Sequence, residues 1–116
     1  MGELLMEIDN AFDQLLELIK QTDIYKKYNH ILRQAKDNQD INNIVKDIKT
    51  IQQRLVKAEY IDKKNIETLE IELESKKQAL YSIPLYQDYL EASEELNTLI
   101  TTINKKIQLC INSLDI

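Results

Sequence analysis

The stretch Ile83–Ile107 reads IPLYQDYLEASEELNTLITTINKKI. It contains Pro84, the single proline of the 116-residue chain, and no glycine follows it. After Pro84 the apolar residues fall at three- and four-residue intervals: Tyr86, Tyr89, Leu96, Ile100, Ile103 and Ile107, then Cys110 and Leu114, with Ser93 as the one polar interruption. Sustained 3-4 spacing is the signature of a heptad seam on one long helix. Proline has no backbone N–H and disfavours helix in the residue before it. The spacing therefore predicts that one helix ends near Ser82–Ile83. Ser82 is the expected N-cap of the next, and Pro84 opens it, since a missing donor costs nothing in a first turn. About 30 residues of helix extend roughly 45 Å at ~1.5 Å per residue.

Upstream of this break the same period recurs. Leu4, Leu5, Ile8, Ala11, Phe12, Leu15, Leu16 and Ile19 mark a first amphipathic helix over 3–21. Thr22 and Asp23 offer caps for a second helix over 23–36, with Ile24, Tyr25, Tyr28, Ile31, Leu32 and Ala35 on its apolar face. DNQD, Asp37–Asp40, reads as a loop with Asp40 as N-cap. Ile41, Ile44, Val45, Ile48, Ile51 and Leu55 define a third helix over 41–59. The register falters at YIDKKN, where Asp62 is the expected cap of a fourth helix over 63–81 carrying Ile66, Leu69, Leu73 and Leu80. On that helix Glu72 precedes Lys76 by four residues, the favourable order for an ion pair.

Composition agrees with the pattern. One glycine and one proline are too few for the turns of a sheet or a phosphate-binding loop. The chain is expected to be all-α, a single helical domain over 1–116 of four to five antiparallel amphipathic helices. The net charge of −5 opposes a general nucleic-acid binder, DNA included. MGELLMEID lacks the cationic and long apolar regions of a secretory signal, and no apolar run is long enough to span a membrane. With Cys110 as the only cysteine, a reducing cytoplasm is the expected setting.

Chemistry-bearing residues are sparse. His30 is the only histidine, and Glu-x-x-His pairs of the di-iron kind cannot be assembled. Glu67, Glu70 and Glu74, and Glu91 with Glu94 and Glu95, are expected to form solvated faces rather than paired acid–base carboxylates. Cys110 sits at a seam position, where a thiol packs as a small hydrophobe. Tyr25, Tyr28, Tyr81, Tyr86 and Tyr89 read either as interface anchors or as a base-stacking platform, the former favoured because no Arg or Gly-rich loops are interleaved. No nucleophile–base constellation exists, so no enzyme activity is expected.

A 45 Å stripe (~1.5 Å per residue) is too long for shorter neighbours to cover. The expected result is a homodimer or higher homo-oligomer joined through Tyr89, Leu96, Ile100, Ile103, Ile107, Cys110 and Leu114. Coverage by helices 1 and 3 of the same chain is the alternative. Tyr25, Tyr28, Tyr81 and Tyr86 are the candidates for binding a further protein.

Several stretches resemble the YlbF/YmcA/YheA family of short helical bacterial proteins. They are LLELIKQTDIYKKYNHI at Leu15–Ile31, the acidic loop DNQD, IQQRLVKAE at Ile51–Glu59, and above all Ile83–Ile107 with its Glu95-Leu96-Asn97 core and spaced Leu and Ile. The resemblance implies an all-helical, self-associating fold and regulation rather than catalysis. It implies family relatives, a YaaT-like protein and the endoribonuclease RNase Y as partners, in competence, sporulation, biofilm formation and transcript maturation. Some such complexes hold iron–sulfur clusters through cysteines. Cys110 alone supplies at most one ligand to a shared cluster, so no cofactor is expected. The resulting expectation is a cytoplasmic, non-catalytic regulatory adaptor. The alternatives are a structural self-assembling protein without a fixed partner, or an RNA-contacting accessory subunit using Lys26, Lys27, Arg33 and Lys36.

Overall fold

Turn chemistry sets where the helices stop. The computed structural model describes residues 1–61 and 63–114, and contains α1 (Gly2–Lys20), α2 (Asp23–Asp37), α3 (Gln39–Ile61), a 3₁₀ turn at Lys63–Asn65, α4 (Ile66–Tyr81) and α5 (Pro84–Leu114). Among the described residues there is no strand. At the α1–α2 junction one side chain serves both ends. The Thr22 hydroxyl donates to the Ile19 carbonyl at 2.6 Å, and its oxygen accepts the Tyr25 N–H at 3.2 Å.

Two expected caps are corrected. Asp40 lies inside the first turn of α3, and the cap is Asn38, whose Oδ1 accepts the Ile41 N–H at 2.9 Å. A single residue thus separates α2 from α3, because Asn38 supplies the cap two positions earlier than the acidic run implied. Ser82 does not cap α5. It is the C-cap of α4, and its hydroxyl donates back to the Ala79 carbonyl at 2.7 Å. The turn is so short that the start of α5 finishes α4 instead. Gln87 Nε2 donates to the Tyr81 carbonyl at 2.7 Å, satisfying one of the acceptors left over at the helix end. Pro84 is the first residue of α5, as its chemistry requires. The expected Asp62 cap lies outside the described residues.

The chain forms two compact units: residues 31–91, and Met1–His30 together with Ala92–Ile116. In the unit of residues 31–91, α3 and α4 form an antiparallel hairpin. Ala35, Ile41 and Leu80 make a buried cluster, with Ile44, Val45, Ile48, Ile83, Leu85 and Tyr86 packed against it. Ile51, 3% exposed, and Ala58 extend the buried row along α3. These are the positions that the 3.6-residue period singles out, with Ala58 added one turn further on. The expected Glu72–Lys76 pair is replaced by a tertiary one. Lys76 Nζ meets Asp47 Oδ2 on α3 at 3.1 Å, because the packed hairpin brings that carboxylate within reach.

The unit of α1, the start of α2 and the C-terminal half of α5 is built differently. Lys27 of α2 pairs with Glu95 of α5 at 3.6 Å. The buried residue here is Ala92, 1% exposed, and α1 buries none of its side chains.

Candidate functional site

The apolar period of α1 does more than mark a helix. At about 100° per residue, Leu4, Leu5, Ile8, Ala11, Phe12, Leu15, Leu16, Leu18 and Ile19 occupy nearly half of the helix circumference. Glu3, Glu7, Asp9, Asp13, Glu17 and Lys20 take the other half. A helix packed on a single neighbour needs a narrower stripe than this. Leu15 and Ile19 are half-buried, whereas Leu4, Leu5, Ile8, Phe12, Leu16 and Leu18 are 43–62% exposed.

Between α1 and the second half of α5 runs an apolar groove of about 360 Å³. Phe12, Leu15, Leu16 and Ile19 line it from α1, Tyr25 from α2, and Leu96, Ile100, Ile103 and Ile107 from α5, with Lys20 and Asn104 as the polar members. The groove offers no convergent polar groups, so its chemistry is that of excluding water from another apolar surface.

The structure separates the seam residues into three sets. Leu96, Ile103 and Ile107 are half-buried and line the groove, and Ile100 joins them though 39% exposed. Tyr89 lies in the unit of residues 31–91, its ring 5.8 Å from that of Tyr86. Cys110 and Leu114 are exposed, Leu114 at 82%. The expectation that Cys110 packs as a buried hydrophobe is thus corrected for the single chain: the groove lining from α5 ends at Ile107, one turn before the thiol. Leu109 and Ile111 beside it are exposed as well. α1 therefore covers the seam in part, and only over its middle.

Among the candidate partner-binding tyrosines, Tyr25 lines the groove and Tyr28 is half-buried on the same helix. Tyr81, exposed, lies with its ring 5.9 Å from that of Tyr86. Burial pushes the Tyr86 phenol above its usual pKa, and the neighbouring Tyr81 and Tyr89 add to the rise. His30 is exposed. Among the described residues no group of three or more His, Cys, Asp or Glu side chains could hold a metal ion, and no helix is long and apolar enough to cross a membrane.

The α1 lining, Phe12, Leu15, Leu16 and Ile19, was marked in the sequence as an apolar face and as the alternative cover of the seam, but not as a site. The signal was present in the breadth of the α1 stripe, which exceeds what one neighbour can cover.

A fold of this kind, with a packed hairpin in one unit and an open apolar groove in the other, is that of an all-helical protein with more apolar stripe than its own chain buries. The chain belongs to the YlbF/YmcA family: the family described as "Control of competence regulator ComK, YlbF/YmcA" matches residues 8–112. Among solved structures, a crystal structure of Bacillus subtilis RicA in complex with RicF aligns with a TM-score of 0.84 at 14% identity, over 93% of this chain and 96% of that one. At that identity the likeness is one of fold. No curated protein shows significant sequence similarity to the chain.

Proposed function

We propose that this protein is a non-catalytic regulatory adaptor that works through protein–protein contacts in the kind of control its family is named for. The observation that carries this reading is the groove between α1 and α5, apolar along its length and continuous with exposed apolar residues on α1. Such a surface stabilises by burial against another apolar surface, and its polar members, Lys20 and Asn104, form no nucleophile–base pair. The family description places its members in control of the competence regulator ComK, and the RicA fold relative was crystallised with a second protein. By the resemblance of the sequence, the partners include family relatives, a YaaT-like protein and RNase Y, in a cytoplasmic setting and without a cofactor held by this chain.

Affinity capture from the native cell, read by mass spectrometry, tests this. The wild type is expected to enrich a defined protein set. Ile103→Asp, which sets a charge in the groove, is expected to lose that set while circular dichroism stays helical. Capture no different from that of an unrelated helical protein, or identical capture by the wild type and Ile103→Asp, sinks the adaptor reading.

A further inference from the structure

The α3–α4 hairpin has two ends of different character. One holds the cluster of Ala35, Ile41 and Leu80. The other, roughly 30 Å further along α3 at 1.5 Å per residue, carries a notch of about 380 Å³. We propose that this notch is a docking site for a short acidic segment of a partner protein, one that carries an aliphatic side chain beside its carboxylates. The site rests on the adaptor reading and gives it a second surface, different in chemistry from the groove.

The lining sets the class of ligand. Ala58 is buried and Leu69 half-buried, and they form an apolar floor with Ile61, 84% exposed, at the rim. Arg54 and Lys57 stand about one turn apart on the α3 side, Thr68 stands on the α4 side, and among the described residues no carboxylate belongs to the lining. Among the described residues Arg54 and Lys57 form no ion pair, whereas Lys20, Lys27 and Lys76 each meet a carboxylate at 3.1–3.7 Å. Two unpaired cations above an apolar floor complement a ligand that is both anionic and aliphatic. The carboxylates supply charge-assisted hydrogen bonds, and the aliphatic side chain excludes water from the floor.

The surroundings decide between anions. Glu59 follows Lys57 by two residues and Glu70 follows Thr68 by two, so each lies about 200° around its helix from the notch. Glu72, with Asp47 and Lys76, borders the next hollow along the hairpin, which Arg54 shares. The cationic surface is therefore short and bounded by carboxylates. A nucleic acid needs a longer basic track and is opposed by the net charge of −5. A peptide needs only a pair of cations and a place for one apolar side chain. Its binding is expected to be salt-sensitive, unlike burial in the groove.

Selection from a random-peptide display library on the purified full chain tests the site. At low ionic strength the wild type is expected to enrich sequences in which Asp or Glu stands beside Leu, Ile or Val. Arg54→Ala with Lys57→Ala, and separately Ile61→Asp, are expected to lose that enrichment while circular dichroism stays helical, since all three side chains are exposed. In fluorescence anisotropy with a selected peptide, the double variant is expected to bind at least about tenfold more weakly. High salt is expected to weaken the wild type as well, and oligouridylate is expected not to displace the peptide. The proposal is overturned if no acidic–aliphatic class is enriched, if both variants keep the enrichment, or if binding is indifferent to salt. Displacement by oligouridylate also overturns it, in favour of a nucleic-acid site. Ile103→Asp separates the two surfaces, and is expected to lose the captured protein set yet still bind the selected peptide. If it loses that set while the wild type enriches no peptide class, the notch falls and the adaptor reading stands. If the peptide binds but capture is unaffected by Ile103→Asp, the notch stands and the groove is not the docking surface.

Discussion

The two units use the same amphipathic pattern and reach opposite outcomes. In residues 31–91, the stripes of α3 and α4 face each other within one hairpin, and Ile41, Ile51, Ala58 and Leu80 are buried. In the unit of α1 and the second half of α5, stripes just as regular bury Ala92 and leave α1 with no buried side chain. The difference lies in geometry rather than composition. A hairpin with a three-residue 3₁₀ turn holds its helices in register, whereas α1 carries a stripe too broad for one neighbour. Periodicity tells which face of a helix avoids water. It does not tell whether the same chain supplies the cover.

The sharpest way to break this contrast is to truncate one residue on each side. Ile51→Ala is expected to destabilise the fold by about 2–5 kcal/mol, because a buried aliphatic leaves a cavity. Leu5→Ala is expected to have little effect on a single chain, because the side chain is already 60% exposed. Urea unfolding under dilute conditions measures both. A loss for Leu5→Ala that matches Ile51→Ala at every dilution, rather than growing with protein concentration, would erase the distinction between the units.

Ala92 is the buried residue described in the weaker unit, and enlarging it tests how closely it is packed. Ala92→Leu is expected to cost about 1–3 kcal/mol through overpacking. A neutral result in thermal unfolding means the site is not close-packed. A smaller effect is expected at Asn38, where Ala removes the acceptor for the Ile41 N–H. The expected loss is ~1 kcal/mol, with Asp offsetting most of it and Asp40→Ala doing less, since Asp40 is not the cap. The smallest effect belongs to the Lys76–Asp47 pair. With side chains 38% and 52% exposed, Asp47→Ala is expected to cost no more than about 1 kcal/mol and to lose its effect in high salt. A large, salt-independent loss at Asp47 means that the hairpin depends on this pair more than on its apolar rows.

Much of the fold was legible in the sequence because helix formation is local. Pro84, with no N–H, could only end one helix and open the next, and Thr22 was already visible as a cap. The caps were misplaced for different reasons: Asp40 lost to its polar neighbour Asn38, and Ser82 was taken as the C-cap of α4 by the short turn. Asn38 and the Gln87-to-Tyr81 bond settle those junctions. Lys76 left its helical neighbour Glu72 for Asp47, a partner 29 residues away. The groove was half legible. The seam residues Leu96, Ile100, Ile103 and Ile107 and the α1 stripe were both marked by their spacing, but which helix faces the seam stayed open between alternatives, since spacing fixes a face and not its neighbour.

By itself the sequence determined that this protein is made of four to five amphipathic helices, roughly where they break, and which face of each is apolar. These follow from backbone donors, side-chain volume and a 3.6-residue period, all of them properties of neighbouring residues. Only the tertiary structure decided that α3 and α4 bury one another while α1 and the end of α5 remain uncovered. That outcome depends on which stripes meet, and burial is a property of pairs of surfaces rather than of one.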